Sequence, residues 1–360
     1  MALTISATDT ELPKPLNAVF QQTLLRNAQV RAPYYHGTAA GELTKRRGSN
    51  VASWRRIENL SAATSALTEL TGAASYMQGR DAAALSVTAV TATMSKYGNF
   101  VILNEEVDLY NFAGQFDKIL QVIGINSGQS LNQLQRDIGE DNATLVNSGG
   151  VASDVLINGI ITLDSIKFVI NTLNRNSALM FTPMTTGSVN IGTQPILPAY
   201  WGLCHPDVAV DIAGLTGFKS VETYAGQVQT VMGEFGTIGV AGQSVRFINS
   251  EDAGVDAGSG ALSGTDVRET SAAADLYTTL IYGMDAIGSV GLGEQYGDGV
   301  YRAGDALDPV DVIVKTPGST GTSDPYNEIS TVAWKAFHTG AILNAAWVRG
   351  IRSAATDLSN

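Results

Sequence analysis

Apolar residues recur at helical spacing before the middle of the chain. The stripe consists of Phe116, Ile119, Leu120, Ile123, Leu131, Leu134 and Ile138. Because residues three and four apart share one helix face, the spacing predicts one long amphipathic helix over residues 116–138. Gly124 and Gly128 lie inside it, and each costs about 1 kcal/mol relative to alanine. A helix that keeps both glycines must be held by packing, and these are the places where it would bend.

A strand pattern precedes this helix. Residues 85–94 alternate between the two faces of a strand and are rich in threonine and valine, which favour a pleated strand. Residues 54–60, 67–70 and 100–103 predict further strand segments, and residues 72–84 are small, polar and loop-like. Residues 51–103 therefore predict a two-stranded ribbon with a loop at its tip. Since an isolated ribbon is marginal in water, a neighbour is expected to cover it.

The second half of the chain has a mixed pattern. Ile166, Val169, Ile170 and Leu173 predict a second helix, with Thr162 or Asp164 as its N-cap. From about residue 187, short strands alternate with short helices, at residues 200–204 then 206–215, 244–248, 276–282 then 284–292, and 310–315. Pro206 suits the first turn of its helix. Residues 329–351 are again apolar and β-like, so the pattern as a whole predicts an α+β fold.

Residues 249–275 differ from their surroundings in composition. They are rich in glycine, serine, alanine and aspartate, contain no aromatic residue, and carry six acids against one arginine. Because small polar and acidic residues contribute little to a hydrophobic core, this segment is predicted to form an exposed loop. The acids lack the spacing of an EF-hand, which makes calcium binding the weaker alternative.

Composition and charge point towards association with other subunits. Only 16% of the 360 residues are charged, against about 25% in a typical chain, and a thinly charged chain hides much of its surface in other subunits. With 22 basic and 34 acidic residues the net charge is -12, which argues against a surface that binds nucleic acid or an anionic membrane throughout. No apolar stretch approaches the roughly 20 residues that span a bilayer, so a soluble protein is expected.

The first 56 residues have the opposite charge balance, with eight basic and three acidic side chains. Residues 1–50 show no sustained periodicity and predict an extended arm that lies on another surface. The cluster at residues 45–47, with Arg55 and Arg56, would contact either phosphates or acids on a neighbouring subunit, and the sequence favours neither.

Candidate chemistry is sparse. The three histidines, His36, His205 and His338, lie on separate segments, and no motif for a nucleotide, a metal or an activated nucleophile is present. Cys204 and His205 are adjacent, but neighbouring residues on a strand face opposite ways. The favoured interpretation is a buried Cys204, a His205 that caps the following helix and a structural His338.

Three acids precede the long helix. Glu105, Glu106 and Asp108 would either bind a cation or supply favourable charge at a helix N-terminus, and the second interpretation is favoured. The single cysteine excludes an intramolecular disulfide. The sequence therefore predicts no catalytic residue, no cofactor-binding residue and no metal ligand.

Several passages, taken in order, resemble the major capsid proteins of tailed phages. The ribbon-to-core passage is LSVTAVTATMSKYGNFVIL at residues 85–103, followed by EEVDL at 105–109. The entry to the second domain is YWGLCHPD at 200–207, and a further strand passage comprises EFGTIG at 234–239 with VRFI at 245–248. The closing run spans residues 314–327, 330–335 and 341–347. Together they are similar to the podovirus-type coat family, which has the Hong-Kong-97 capsid fold.

The resemblance implies an architecture. Residues 1–50 would be an N-terminal arm and 51–103 an extended β-hairpin, the E-loop, that reaches over a neighbouring subunit. Residues 104–185 would be the P-domain with its long spine helix, 186–325 the A-domain, and 326–360 the return strands of the P-domain. Gly124, Gly128 and the glycine-rich segment at Gly72 would absorb differences between non-equivalent positions in a shell.

The resemblance also implies a function. The chain would be a structural subunit of an icosahedral capsid, not an enzyme, that self-assembles into hexamers and pentamers around a double-stranded DNA genome without sequence-specific binding. It would be found in the virion after assembly in the host cytoplasm. Decoration, scaffold and portal proteins would be its further partners. The alternative is an encapsulin-like cellular shell of the same fold.

Overall fold

The computed structural model describes most of the chain. The described residues are 33–35, 37–40, 42–43, 50–58, 60, 62, 64, 85–106, 115–182, 196–223, 233–262, 266–292, 310–315, 325–326 and 328–358. The predicted strand at 67–70, the loop at 72–84, the basic cluster at 45–47, His36 and Asp108 lie outside them.

The described α-helices lie in the middle of the chain, between two runs of strands. The described α-helices are α1 (Gln115–Asn142), α2 (Leu163–Arg175) and α3 (Pro206–Ala213). The strands are β1 (Ala39–Ala40), β2 (Glu42–Leu43), β3 (Val51–Ile57), β4 (Val87–Thr93), β5 (Ser95–Asn104), β6 (Thr144–Asn147), β7 (Ala199–Cys204), β8 (Phe218–Ser220), β9 (Glu234–Val240), β10 (Gln243–Asn249), β11 (Val255–Asp256), β12 (Glu269–Thr270), β13 (Ala273–Ala274), β14 (Leu276–Tyr282), β15 (Ile287–Leu292), β16 (Val310–Lys315), β17 (Ile329–Ile342) and β18 (Val348–Ser353). The mixture of helix and sheet confirms the predicted α+β class.

A five-stranded sheet is organised around β17. Strand β5 pairs along one edge of β17, while β16 and β15 follow one another along the opposite edge, and β1 adds in parallel outside β15. Helix α1 packs on one face of this sheet, where Leu120, Ile123 and Leu131 meet Val332 and Trp334. The predicted helix is confirmed and extends four residues further, to Asn142.

The predicted ribbon is also confirmed in its described part. Strands β3 and β4 pair antiparallel from Val51–Thr93 to Ile57–Val87, and β2 pairs with the other edge of β3. The base of the ribbon folds back on the five-stranded sheet, where Trp54 and Met94 pack with Val290. Beyond Met94 the chain leaves the ribbon and enters the sheet as β5, because Ser95 pairs with β17 and not with β3.

A second sheet of eight strands carries the other core. Its order is β6-β18-β14-β7-β10-β9-β8, with β11 beside the far end of β14. Helices α2 and α3 pack on it, and Ile166, Val169, Val208 and Ile212 are all fully buried there. Strand β18 follows β17 after one short turn, so the two sheets share a continuous segment of chain.

The predicted caps of α2 and α3 are found at their residues. The Thr162 side chain accepts a hydrogen bond from the backbone N–H of Ser165, and Pro206 occupies the first turn of α3. The helix predicted for residues 284–292 is wrong. Residues 287–292 form strand β15, because they pair antiparallel with β17 and bury Ile287 and Val290.

The prediction of a wholly exposed loop at residues 249–275 is wrong in part. Ser250, Ala253 and Ala274 are at most 5% exposed, β11 joins the eight-stranded sheet, and β12 pairs with β13. Composition misled because small residues also fit into buried positions and because two acids of this segment, Asp252 and Asp256, bond side chains outside it. None of the helices that the structure describes is both long and apolar enough to cross a membrane.

Candidate functional site

The side chains of Cys204 and His205 bond different partners, the backbone oxygen of Ile248 and the backbone N–H of Asp207 respectively. The Cys204 thiol is completely buried at the end of β7, and its burial raises the pKa of the thiol. The Nδ1 atom of His205 accepts a hydrogen bond from the backbone N–H of Asp207 at 3.2 Å, and burial lowers the pKa of the imidazole. A neutral capping histidine beside a buried thiol agrees with the favoured interpretation of the sequence.

His338 lies inside the five-stranded sheet, on the face that carries α1. Its Nδ1 atom is 3.1 Å from the Tyr35 hydroxyl, and burial lowers the pKa of the ring to about 4. The imidazole is therefore neutral over the physiological range. It anchors the segment at Tyr35 and does not reach a described nucleophile or metal ligand.

The charged candidates give no metal site in the described part of the chain. Glu105 and Glu106 are exposed, and no group of three acidic, histidine or cysteine side chains among the described residues could hold a metal ion. Arg56 bonds the carboxylate of Glu58 and the backbone oxygen of Leu343, the latter at 2.7 Å. The Arg56 guanidinium thus fastens the ribbon to its own subunit, whereas Arg55 is exposed.

Two arginines, which the sequence analysis did not single out, hold the 249–275 segment in place. Arg268 bonds Asp207 at the start of α3, and that carboxylate also accepts the Tyr277 hydroxyl at 2.9 Å. Arg352 on β18 bridges Asp154 and Asp256. No motif signals these clusters, because their members lie 61 to 198 residues apart.

We expect Arg352→Met to lower the free energy of unfolding of the subunit by about 1–2 kcal/mol, because two partly exposed carboxylates lose a charged donor. Arg349→Met is the matched control, since Arg349 lies on the same strand and contacts only backbone oxygens in the described structure. Urea unfolding of the unassembled subunit measures both. Equal midpoints for the two variants would contradict the bridging role.

The described residues cover only half of the face of the five-stranded sheet that lies opposite α1, which we call the open sheet face. Register places Phe100 and Ile102 of β5 beside Ala333 and Thr331 of β17 on this face. Phe100 is 62% exposed and Ile102 58% exposed. The ribbon base covers the other half, near Phe337 and Ala341. Large side chains left in water over one half of a sheet face are typical of a surface that meets another protein.

The far end of the ribbon is a second apolar surface. Ile57 and Val87 form the last pair of β3 and β4, and both are more than half exposed. Leu60 and Leu85, which lie nearby along the chain, are 54% and 58% exposed. Ile57 and Val87 lie at the opposite end of the described ribbon from Met94, and the described part of their own subunit buries none of the four residues.

Solved structures share this architecture. The chain is similar to the capsid of Ralstonia phage GP4 (TM-score 0.56, 11% identity, 93% of this chain and 89% of that chain). It is also similar to the head structure of Helicobacter pylori bacteriophage KHP40 (0.53, 12%, 91% and 91%) and to the capsid of cyanophage Pam1 (0.53, 10%, 86% and 86%). No family model matches the chain, and no curated protein matches it. The chain therefore has the fold of these phage capsid and head structures.

Proposed function

We propose that the chain is a structural subunit of an icosahedral virus capsid, which self-assembles into hexamers and pentamers and encloses a double-stranded DNA genome. The observation that carries the proposal is a fold shared with phage capsid structures over about nine tenths of the chain. The buried thiol of Cys204 and the neutral imidazole of His338 support a structural role and not a catalytic one.

The two apolar surfaces supply a contact between subunits. Within one subunit the ribbon base already packs on half of the open sheet face through Trp54 and Met94. We assign the uncovered half, around Phe100 and Ile102, to the far end of a neighbour's ribbon, whose apolar residues at Ile57 and Val87 are equally uncovered. Such a head-to-tail contact generates a closed ring when the rotation that relates neighbouring subunits returns to the first subunit. Many modest contacts per subunit together stabilise a shell.

The division into parts is a proposal of the same kind. Residues 1–50 act as the arm, 51–103 as the reaching ribbon, 104–185 with 326–360 as the P-domain, and 186–325 as the A-domain. Pairing of β17 with β5 supports the joining of the closing residues to the segment that follows the ribbon. The net charge of -12 supports a wall that encloses DNA without binding a specific sequence. We also propose decoration, scaffold and portal proteins as partners of the subunit. The assembled subunit is expected in the virion.

Electron microscopy of the protein expressed alone, together with size-exclusion chromatography and light scattering, tests the proposal. We expect closed shells, or rings of five and six subunits, and the particle diameter constrains the number of subunits. A monomer that fails to assemble even when it is coexpressed with the proteins of neighbouring genes, including any scaffold, would contradict the proposed capsid function. Shells that contain a protein cargo in place of nucleic acid would favour the encapsulin-like alternative.

A further inference from the structure

One buried carboxylate joins three distant parts of the chain. The Oε1 atom of Glu140, near the end of α1, accepts the hydroxyl of Tyr34 and the backbone N–H of Gly254, each at 3.2 Å. A side chain at residue 254 has no room, because a Cβ atom there would lie 2.1 Å from Oε2 of Glu140. The carboxyl group is therefore enclosed between the 33–35 segment and the 249–275 segment.

The preceding turns of α1 hold the same two segments. The Asn132 side chain accepts the backbone N–H of Tyr34 at 3.0 Å and donates to the Asp252 carboxylate at 2.8 Å. Gln133 donates to the same carboxylate, and Arg136 donates to the Asp252 backbone oxygen at 2.6 Å. Thus one stripe of α1 clamps Tyr34 on one side and residues 252–254 on the other.

The protonation state of Glu140 changes within the physiological range. Burial raises the pKa of its carboxyl group to about 7, although the Gly254 N–H, the Arg136 guanidinium and the Tyr34 hydroxyl oppose this shift. Asp137, on the same helix, adds to the rise, while Asp252 is the acid that faces the stripe from the loop. Tyr34 keeps its proton, because burial and the neighbouring Glu140 raise the pKa of its hydroxyl.

We propose that the junction of Tyr34, Glu140 and Gly254 is a proton-operated clamp, which ties the Tyr34 side chain and the Gly254 backbone to the end of α1 when Glu140 is neutral and loosens both segments there together when Glu140 is ionised. The hydrogen bonds from the Tyr34 hydroxyl and the Gly254 N–H are both accepted by Oε1 of Glu140. An ionised carboxylate lowers its free energy by turning out to water, and that single movement breaks both bonds. The proposal concerns this chain alone and holds whether or not the capsid function is correct.

The direction of the pH effect follows from the raised pKa. Between its ordinary value of 4.5 and about 7, Glu140 is protonated in the folded subunit and ionised in the unfolded one. The stability contributed by the neutral group is therefore present at low pH, falls as the pH rises through this window, and stays level above it. Glu140→Gln remains neutral at every pH and has no such dependence.

Hydrogen exchange of the full-length protein, followed by mass spectrometry and corrected for intrinsic rates, tests the clamp between pH 5.5 and 8.5. In the wild type we expect peptides that contain Tyr34 and Gly254 to lose protection together as the pH rises towards about 7, with one common midpoint below 7, and to change no further above it. In Glu140→Gln both peptides should stay protected throughout. A flat wild-type profile, or the loss of protection in one segment only, would overturn the proposal.

Tyr34→Phe supplies a second variant that keeps the carboxyl group. Since the Tyr34 hydroxyl lowers the pKa of Glu140, its removal should move the midpoint measured at residues 252–254 to higher pH. Tyr200→Phe is the matched control, because its buried hydroxyl bonds the backbone oxygen of Ala178, away from the junction. If Tyr34→Phe leaves the midpoint unchanged, or if Tyr200→Phe shifts it equally, the hydrogen bond to Glu140 does not operate the clamp.

Discussion

Replacement of both Phe100 and Ile102 by aspartate should abolish assembly into particles while the subunit remains folded. Each apolar side chain that an interface buries contributes about 1.5–3 kcal/mol, and a buried unpaired carboxylate reverses that gain. The fold should tolerate the change because both positions are more than half exposed in the subunit. Light scattering and electron microscopy measure assembly, and circular dichroism measures the fold.

Phe168→Asp is the control for this double variant. Phe168 lies on α2, away from the five-stranded sheet, and is 57% exposed. It therefore introduces one carboxylate, against two in the double variant, at similar exposure. Normal particles from the Phe100 and Ile102 double variant would show that the open sheet face is not a subunit contact. Loss of particles in all the variants would show that the effect of the charge is not specific to that face.

Leu131→Ala should lower the free energy of unfolding of the subunit by about 2–5 kcal/mol, the range for a large aliphatic side chain removed from a core. Leu131 is completely buried between α1 and the five-stranded sheet, in the cluster that contains Trp334. A cavity there loosens the helix from the strand on which that sheet is built. Urea unfolding of the unassembled subunit gives the value.

Val122→Ala is the comparison on the same helix. Val122 is 64% exposed, so its loss should change the free energy of unfolding by no more than about 0.5 kcal/mol. A similar loss in both variants would contradict the view that packing of Leu131 against the sheet holds α1 in place.

The elements with strong periodicity could be predicted from the sequence. The stripe from Ile119 to Ile138 gave α1 to within a few residues, and alternation in residues 85–94 gave the ribbon strand. Local hydrogen-bonding chemistry gave the caps at Thr162 and His205. In each case the sequence signal that reveals the element lies within a short stretch of the chain.

The parts that could not be predicted depend on contacts between distant residues. Strand β15 was assigned to an alternation of strands and helices, because nothing local shows that Ile287 pairs with Ile342. Composition alone could not show that Arg352 and Glu140 fasten the 249–275 segment. The open sheet face could not be predicted from the sequence either, since it depends on which half of β17 the ribbon covers.

The order of strands around β17 has a consequence for synthesis on the ribosome. Strands β5, β15 and β16 all pair with β17, yet each of them is translated before it. Until β17 emerges, the apolar face of α1 lacks the strand that carries Val332 and Trp334, and β5 has no strand partner in that sheet. A prematurely terminated chain that lacks β17 therefore cannot present the proposed contact, so strand order would exclude truncated products from the proposed particles.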